Sequence, residues 1–532
     1  MQNTVVKGNG KCPILPWMVE FHSTADGKIM NNQLNAAFAE NYLEHLSKLH
    51  EKSKVRRKRL TQFVVIIPPN VQIEDIEAFL IAGMTVAQIR LDYFTAKDAY
   101  YTIDLIKKVN EDFGKKIGRV YPLAIALDLS EPEIVTGKLQ QPYKEIEMEK
   151  GQTTKVLANP EFANRVNKDY IYVNYENISN VVKPGDSLIL GDNNIHMSAL
   201  QIARDIVECI VDKAGKLVDN LSVKLPNIPI DVQKGVSKEK LVEISSECQV
   251  DMIFVGPGSI DLAKQILGPS VLVFVKVEYA STADDFDHII DKADGILVDG
   301  DKLMMTSKQN VFLLEKSIIA SCNKKAKPVV TSVNCNSITK AQVSDIANIV
   351  IDGTDALLLP PDAALLESIC LICKSAEGAV YQKELFKNLC SLKKPPIEPI
   401  ESICMAAVEA SFKSNAAAII LITTSGRSAK LISRYRPRCP IIALTRLGRI
   451  AKQLMVYKGV IPIYYVQNSK DTFTQNIEKK MQLGMTFGKV NGYIKMGDAV
   501  VMVFGLKNYV GFRNCLEVVY ASQFDTVPEE DV

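Results

Sequence analysis

The sequence predicts a closed parallel (β/α)8 TIM barrel that carries an inserted β-barrel cap domain and is followed by a C-terminal open α/β domain. Three observations point to it. Eight short β-rich runs alternate with helical patterns from residue 61 onward. One interval between them, 129–251, is far too long for a single crossover. A proline-rich hinge then precedes a second α/β pattern.

The eight runs are FVVII (63–67), VAQIRL (86–91), PLAIALD (122–128), MIFV (252–255), VLVFVK (271–276), GILV (295–298), PVVTSV (328–333) and ALLL (356–359). Helical patterns lie between most of them, such as IEDIEAFLIAG before the second and KQNVFLLEKSIIASCNKK before the seventh. Such alternation predicts a parallel barrel with its chemistry at the strand C-termini, spanning 61–132 and 233–395. The interruption (133–232) holds short alternating segments, YIYVNY, DSLILGD and LSVKL, separated by turn residues. It reads as a β lid inserted after the third strand, where it can close over substrate and exclude water. Ahead of the barrel, 1–60 is an N-terminal segment with one helical stretch, NNQLNAAFAENYLEHLSKL.

Lys393-Lys394-Pro395-Pro396-Ile397-Glu398-Pro399 forms the hinge. Beyond it, in 396–532, AAIILIT (417–423), PIIALT (440–445), VIPIYY (460–465) and AVVMVFG (499–505) read as strands of an open sheet. The turn Thr423-Thr424-Ser425-Gly426-Arg427-Ser428 follows the first of these and opens a helix, a setting that suits a phosphate. An ordinary capped loop would show the same residue types.

Residues 271–301 are the most informative stretch. One apolar run ends in Lys276-Val277-Glu278 and the next in Asp299-Gly300-Asp301. Two carboxylates and a lysine at neighbouring strand ends can hold a divalent cation and a phosphate together. A surface ion pair capping two strands would look the same in sequence.

Bulk composition narrows the choice. Hydrophobic residues make up 47% and charged residues 23%, an ordinary globular balance. A formal charge of +2 indicates no global attraction to nucleic acid or anionic membrane. No apolar stretch approaches membrane-spanning length, and the first residues show no signal-peptide core. The eleven cysteines are scattered apart from Cys370 and Cys373, which read as buried free thiols of a cytoplasmic protein rather than half of a zinc site. The five histidines form no catalytic grouping, which argues against a Ser-His-Asp hydrolase. The basic run Lys52, Lys54, Arg56, Arg57, Lys58 and Arg59 reads as a solvated connector rather than a polyanion-binding patch.

Barrel, inserted β domain and C-terminal α/β domain, in this order, resemble pyruvate kinase. LDLSEPEIVTG (127–137), AAVEASFKSNAAAIILITTSGRSA (406–429) and RYRPRCPIIALTR (434–446) are similar to family segments, and QLNAAFAENYLEHLSKL (33–49) is similar to the N-terminal helix of animal members. The resemblance implies phosphoryl transfer from phosphoenolpyruvate to ADP, giving pyruvate and ATP. It places Lys276 against the phosphoryl group in flight, Glu278 and Asp301 on Mg2+ (or Mn2+), and Asp128 on K+. It makes Arg90 and Gly300 substrate-binding positions. Thr423, Ser425, Gly426, Arg427 and Ser428 match the loop that holds a phosphate of a sugar bisphosphate effector. A homotetramer in the cytoplasm is also implied.

Departures from the family pattern matter as much. Its strand-two motif Ala-Arg-Leu-Asn-Phe-Ser is here Ala87-Gln88-Ile89-Arg90-Leu91-Asp92, so Gln88 replaces a phosphate-gripping arginine and Arg90 a potassium ligand. Leu129, Ser130, Glu131 and Val135 stand at variable positions after strand three, and Asp299 replaces an arginine. Val333 replaces a threonine, and Pro360-Pro361-Asp362-Ala363 replaces Ser-Gly-Glu-Thr. Gly191-Asp192 keeps one of two lid aspartates, and Thr424 replaces a lysine in the effector loop. Each arginine lost to a phosphate costs about 2–4 kcal/mol. Two accounts of Arg90 stay open: its guanidinium, paired with Asp92 and Asp128, supplies the potassium charge covalently, or both positions drifted together.

Three functions compete. One is a pyruvate kinase-type phosphotransferase of reduced efficiency or altered potassium dependence. The second is an inactive relative that binds metabolites or regulates an active paralogue in a hetero-oligomer. The third is a metal-assisted decarboxylation or enolisation of a 2-oxo acid.

Overall fold

The computed structural model describes residues 25–50, 58–91, 94, 96–129, 134–191, 194–225, 238–247, 249–278, 286–306, 310–335, 337–466, 473–506 and 513–522. All eight predicted barrel runs are strands: Gln62–Ile66, Val86–Arg90, Ala124–Asp128, Met252–Val255, Leu272–Val277, Gly295–Val298, Val329–Ser332 and Ala356–Leu359. They are parallel and close into a ring, the first strand pairing with both the second and the eighth.

Strand alternation divides each run between two cores. Val64, Val86, Ala124, Ala126, Met252, Phe254, Leu272, Phe274, Leu297, Val330, Ala356 and Leu358 form the interior, all buried. Their neighbours, among them Phe63, Ile89, Ile125, Val273 and Leu357, face outward against helices such as Ile73–Ile81 and Ala363–Gly378. Phe254 and Phe274 meet with ring centroids 5.3 Å apart and fill the middle of the barrel. Gly295 sits beside Phe274 in register, where a Cβ would lie 2.2 Å from the ring. The glycine makes room for the aromatic plug.

The cap follows the third strand. It is built from a six-stranded sheet and a two-stranded pair around one apolar core that includes Val156, Ile171, Leu188, Met197 and Val207. Behind the hinge, Ala418–Ile422, Ile441–Thr445, Val460–Tyr464 and Ala499–Leu506 form the expected open sheet. A fifth strand, Arg513–Tyr520, adds an antiparallel edge to Ala499–Leu506.

Two expectations change. The helical stretch before the barrel is two helices, Ala25–Ala37 and Tyr42–Ser47. Asn41 accepts the Glu44 backbone N–H at 2.9 Å and starts the second helix afresh, so the cap wins over continuation. The basic run is not a solvated connector at its end. Arg59 lies 3.2 Å over the Phe63 ring and donates to the Gly83 carbonyl, while Lys58 donates to the Tyr493 hydroxyl at 3.0 Å. The chain enters the barrel at once, with Leu60 and Thr61 N–H groups bound by the buried Glu377 carboxylate, so the preceding side chains are drawn against its base. Lys52, Lys54, Arg56 and Arg57 lie outside the described residues.

Cys373 is buried with a free thiol, which burial pushes up to about 12. No helix among the described residues is long and apolar enough to cross a membrane.

Candidate active site

The interior alternation of the fifth strand, Leu272, Phe274, then Lys276 and the following Glu278, carries two charges up from a dry floor into the mouth. The second strand brings Gln88 and Arg90 to the same place, and register pairs Arg90 with Asp128 at the end of the third.

The charged groups form a chain. Lys276 Nζ donates to Asp128 Oδ1 at 2.9 Å, and both side chains are nearly inaccessible, at 7% and 6%. Gln88, fully buried, donates through Nε2 to Asp128 Oδ2 at 3.3 Å, and its Oε1 has no hydrogen-bond partner among the described residues. Arg90 Nε stands 3.9 Å from the same Oδ2. On its other side Lys276 is 3.9 Å from Glu278 Oε1, which also accepts from Lys302 Nζ at 2.9 Å.

Electrostatics follows from this geometry. Burial alone would lower the Lys276 ammonium, but Asp128 and Glu278 outweigh it and hold the group above its ordinary value. Burial alone would raise Glu278, but Lys276 and Lys302 outweigh it and hold the carboxyl below its ordinary range. Both groups are therefore ionised at neutral pH.

The placement of Arg90 departs from expectation in one respect. The nearest cation on Asp128 is Lys276, and Arg90 stands at the edge of the carboxylate. Asp92, the other expected partner of Arg90, lies outside the described residues. A potassium ion does not fit at Asp128, because lysine, amide and guanidinium already surround both oxygens.

A divalent ion has a way in at Glu278, because the nearest cation there, Lys302, is partly exposed rather than buried. Glu278 is a hard oxygen donor, ionised, at the mouth, with both close contacts on Oε1. Gly300 and Asp301 open the short helix Gly300–Thr306 directly after the sixth strand. A Cβ at Gly300 would sit 2.1 Å from Glu315 Oε1, so the Glu315 carboxylate of the helix Val311–Lys325 reaches this helix start. The Asp301 side chain lies outside the described residues.

Two departures acquire a structural use. Val333 is buried just beyond the seventh strand. Asp362 accepts from Leu365 N at 3.1 Å and caps the helix Ala363–Gly378, so its carboxylate serves the helix rather than the mouth.

Lys302 was not singled out in sequence. The signal was the charged doublet Asp301-Lys302 opening a helix, but its contact with Glu278 needs the fold to bring two strand ends together.

In the C-terminal domain the Thr423 hydroxyl accepts from Gly426 N at 3.0 Å. Gly426 adopts φ 78°, and the helix Arg427–Arg434 begins after it. The Arg427 guanidinium is paired with Glu398 of the hinge. Ser425 Oγ lies 3.5 Å from Arg427 N, and the Ser428 carbonyl accepts from the Cys404 thiol.

A closed (β/α)8 barrel with a β cap after its third strand and a buried lysine flanked by carboxylates defines a barrel protein whose charged groups gather at the mouth. Comparison with known proteins makes the class specific. The family model described as pyruvate kinase, barrel domain, matches residues 58–366, and that described as pyruvate kinase, alpha/beta domain, matches 401–519. Pyruvate kinase PKLR of Rattus norvegicus and that of Homo sapiens are each 33% identical over 516 residues, covering 92% of this chain and 90% of the relative. Pyruvate kinase 1 of Trypanosoma brucei brucei is 29% identical, covering 90% of this chain and 99% of the relative. The chain belongs to the pyruvate kinase family. Members of that family generally use Mg2+ and K+.

Proposed function

We propose that this chain transfers a phosphoryl group between phosphoenolpyruvate and ADP, at a reduced rate and without a potassium requirement. The observation that carries this reading is the buried, ionised Lys276 ammonium held between Asp128 and Glu278. A fixed ammonium aimed at charge that develops on a phosphoryl group lowers the barrier with no reorganisation at the moment of transfer. Glu278 and Asp301 are the residues that would hold Mg2+ or Mn2+, which supplies Lewis-acid neutralisation of phosphate oxygens when bound. Arg90 supports substrate binding from the second strand, beside Asp128, and the mouth cations substitute for the monovalent ion there. Gln88, which cannot offer the bidentate grip of an arginine, is the main reason to expect slow turnover.

A second reading, a non-catalytic relative that binds phosphorylated metabolites or regulates an active paralogue in a shared oligomer, is favoured by Gln88 and by the diversion of Asp362 to a helix cap. One experiment separates the two. Purified protein is assayed with phosphoenolpyruvate, ADP and magnesium beside Lys276→Met. Equal pyruvate formation by both proteins rejects the catalytic reading. Calorimetric binding of phosphoenolpyruvate without turnover favours the second. A cytoplasmic homotetramer is the assembly the catalytic reading carries with it.

A further inference from the structure

Lys302 stands in the mouth against Glu278, and the proposed reaction gives it no part. Its Nζ lies 2.9 Å from Glu278 Oε1, the same oxygen that faces Lys276 at 3.9 Å. Its root is held at the helix start: the Lys302 backbone N–H donates to Asp299 Oδ1 at 3.3 Å. Its head is not enclosed. The Lys302 side chain is 30% exposed, against 7% for Lys276, so solvent is open to one ammonium and closed to the other.

A small hard dication binds a carboxylate by direct oxygen coordination at close range. An ammonium hydrogen-bonded to that oxygen repels the ion and occupies one of its lone pairs. Lys276 cannot withdraw without taking the closest cation from the buried Asp128, whereas the partly exposed Lys302 can swing its four-carbon stem into water.

We propose that Lys302 is a tethered competitor for the divalent cation. It neutralises Glu278 while no metal is present, and it is displaced into solvent when the metal arrives. Lys302 therefore sets the metal concentration at which the site assembles. This inference rests on the reading of Glu278 as a metal ligand.

The test is direct Mn2+ binding to the whole chain without substrate, followed by electron paramagnetic resonance of the free ion, in wild type, Lys302→Met, Lys302→Arg and Glu278→Gln. Removing the competing ammonium tightens Mn2+ binding by roughly tenfold, the scale of one hydrogen bond to a charged group. Lys302→Arg keeps the charge and stays near wild type, which a general loosening of the loop would not allow. Glu278→Gln abolishes the site. Unchanged affinity in Lys302→Met, with binding still lost in Glu278→Gln, overturns the competitor role and leaves the ligand reading intact. Mn2+ binding that ignores Glu278→Gln overturns both.

Discussion

Potassium is where the mouth makes its sharpest demand. Asp128 is surrounded by Lys276 at 2.9 Å, Gln88 at 3.3 Å and Arg90 at 3.9 Å. A monovalent cation placed on that carboxylate would meet two fixed positive charges. At a separation near 4 Å and an effective dielectric of 20, each costs about 4 kcal/mol, or about 8 kcal/mol for the two. A millimolar ion site gains only about 4 kcal/mol in total. Attraction to Asp128 itself returns about 6 kcal/mol near 3 Å on the same scale, so the three charges together still disfavour the ion by about 2 kcal/mol. We predict that phosphoryl transfer, and phosphoenolpyruvate binding by calorimetry, are the same in potassium and in tetramethylammonium at constant ionic strength. Arg90→Asn removes the more exposed of the two charges and should introduce a potassium response. Potassium-specific activation of the unaltered chain would refute the reasoning, because it would require an open carboxylate at Asp128.

Other expectations follow from individual contacts. Lys276→Met should reduce turnover to background and, by leaving the buried Asp128 with only Gln88 and Arg90, lower stability by about 3 kcal/mol; an active, equally urea-resistant variant contradicts the assignment. Glu398→Gln releases the Arg427 guanidinium from an exposed pair, so calorimetry should show tighter binding of a sugar bisphosphate with an unchanged melting temperature. Lys458 is buried, its Nζ donating to the Val350 carbonyl at 3.1 Å, and burial with the nearby Arg436 charge brings its ammonium down to about 8. Its folded value lies below its unfolded one, so the unfolded chain holds the extra proton above pH 8. Stability then rises with pH from there, by about 1.4 kcal/mol per unit. Urea midpoints measured on either side of pH 9 should climb in the unaltered chain and stay flatter in Lys458→Met; parallel slopes would discount this lysine.

The barrel was legible because its signal is local. Each strand announces itself as a short apolar run, and the two-residue alternation through Leu272, Phe274, Lys276 and Glu278 can be followed along the chain itself. The open C-terminal sheet was legible for the same reason, except at Arg513–Tyr520, an edge strand whose polar residues blur the pattern. What sequence could not give is pairing across distance. Lys276 and Asp128 are 148 residues apart, and they meet only because the barrel closes. Lys302 and Glu278 are 24 apart, yet their contact depends on which way a long flexible stem turns. Arg59 reads as solvated charge until Phe63 is seen beneath its guanidinium. Asn41 looks like any helix residue until its side chain caps the next turn.

The aromatic plug of Phe254 and Phe274 beneath the mouth bears on the history of the site. With a dry floor below, the charges above it are poorly screened and feel one another strongly. Gln88 and Arg90 share a single carboxylate, and Lys276 already holds its nearer oxygen. Substitutions at 88 and 90 are therefore epistatic rather than independent. An arginine placed at 88 with Arg90 still present would crowd three cations around Asp128. The order in which these two positions change therefore decides which intermediates keep Asp128 balanced.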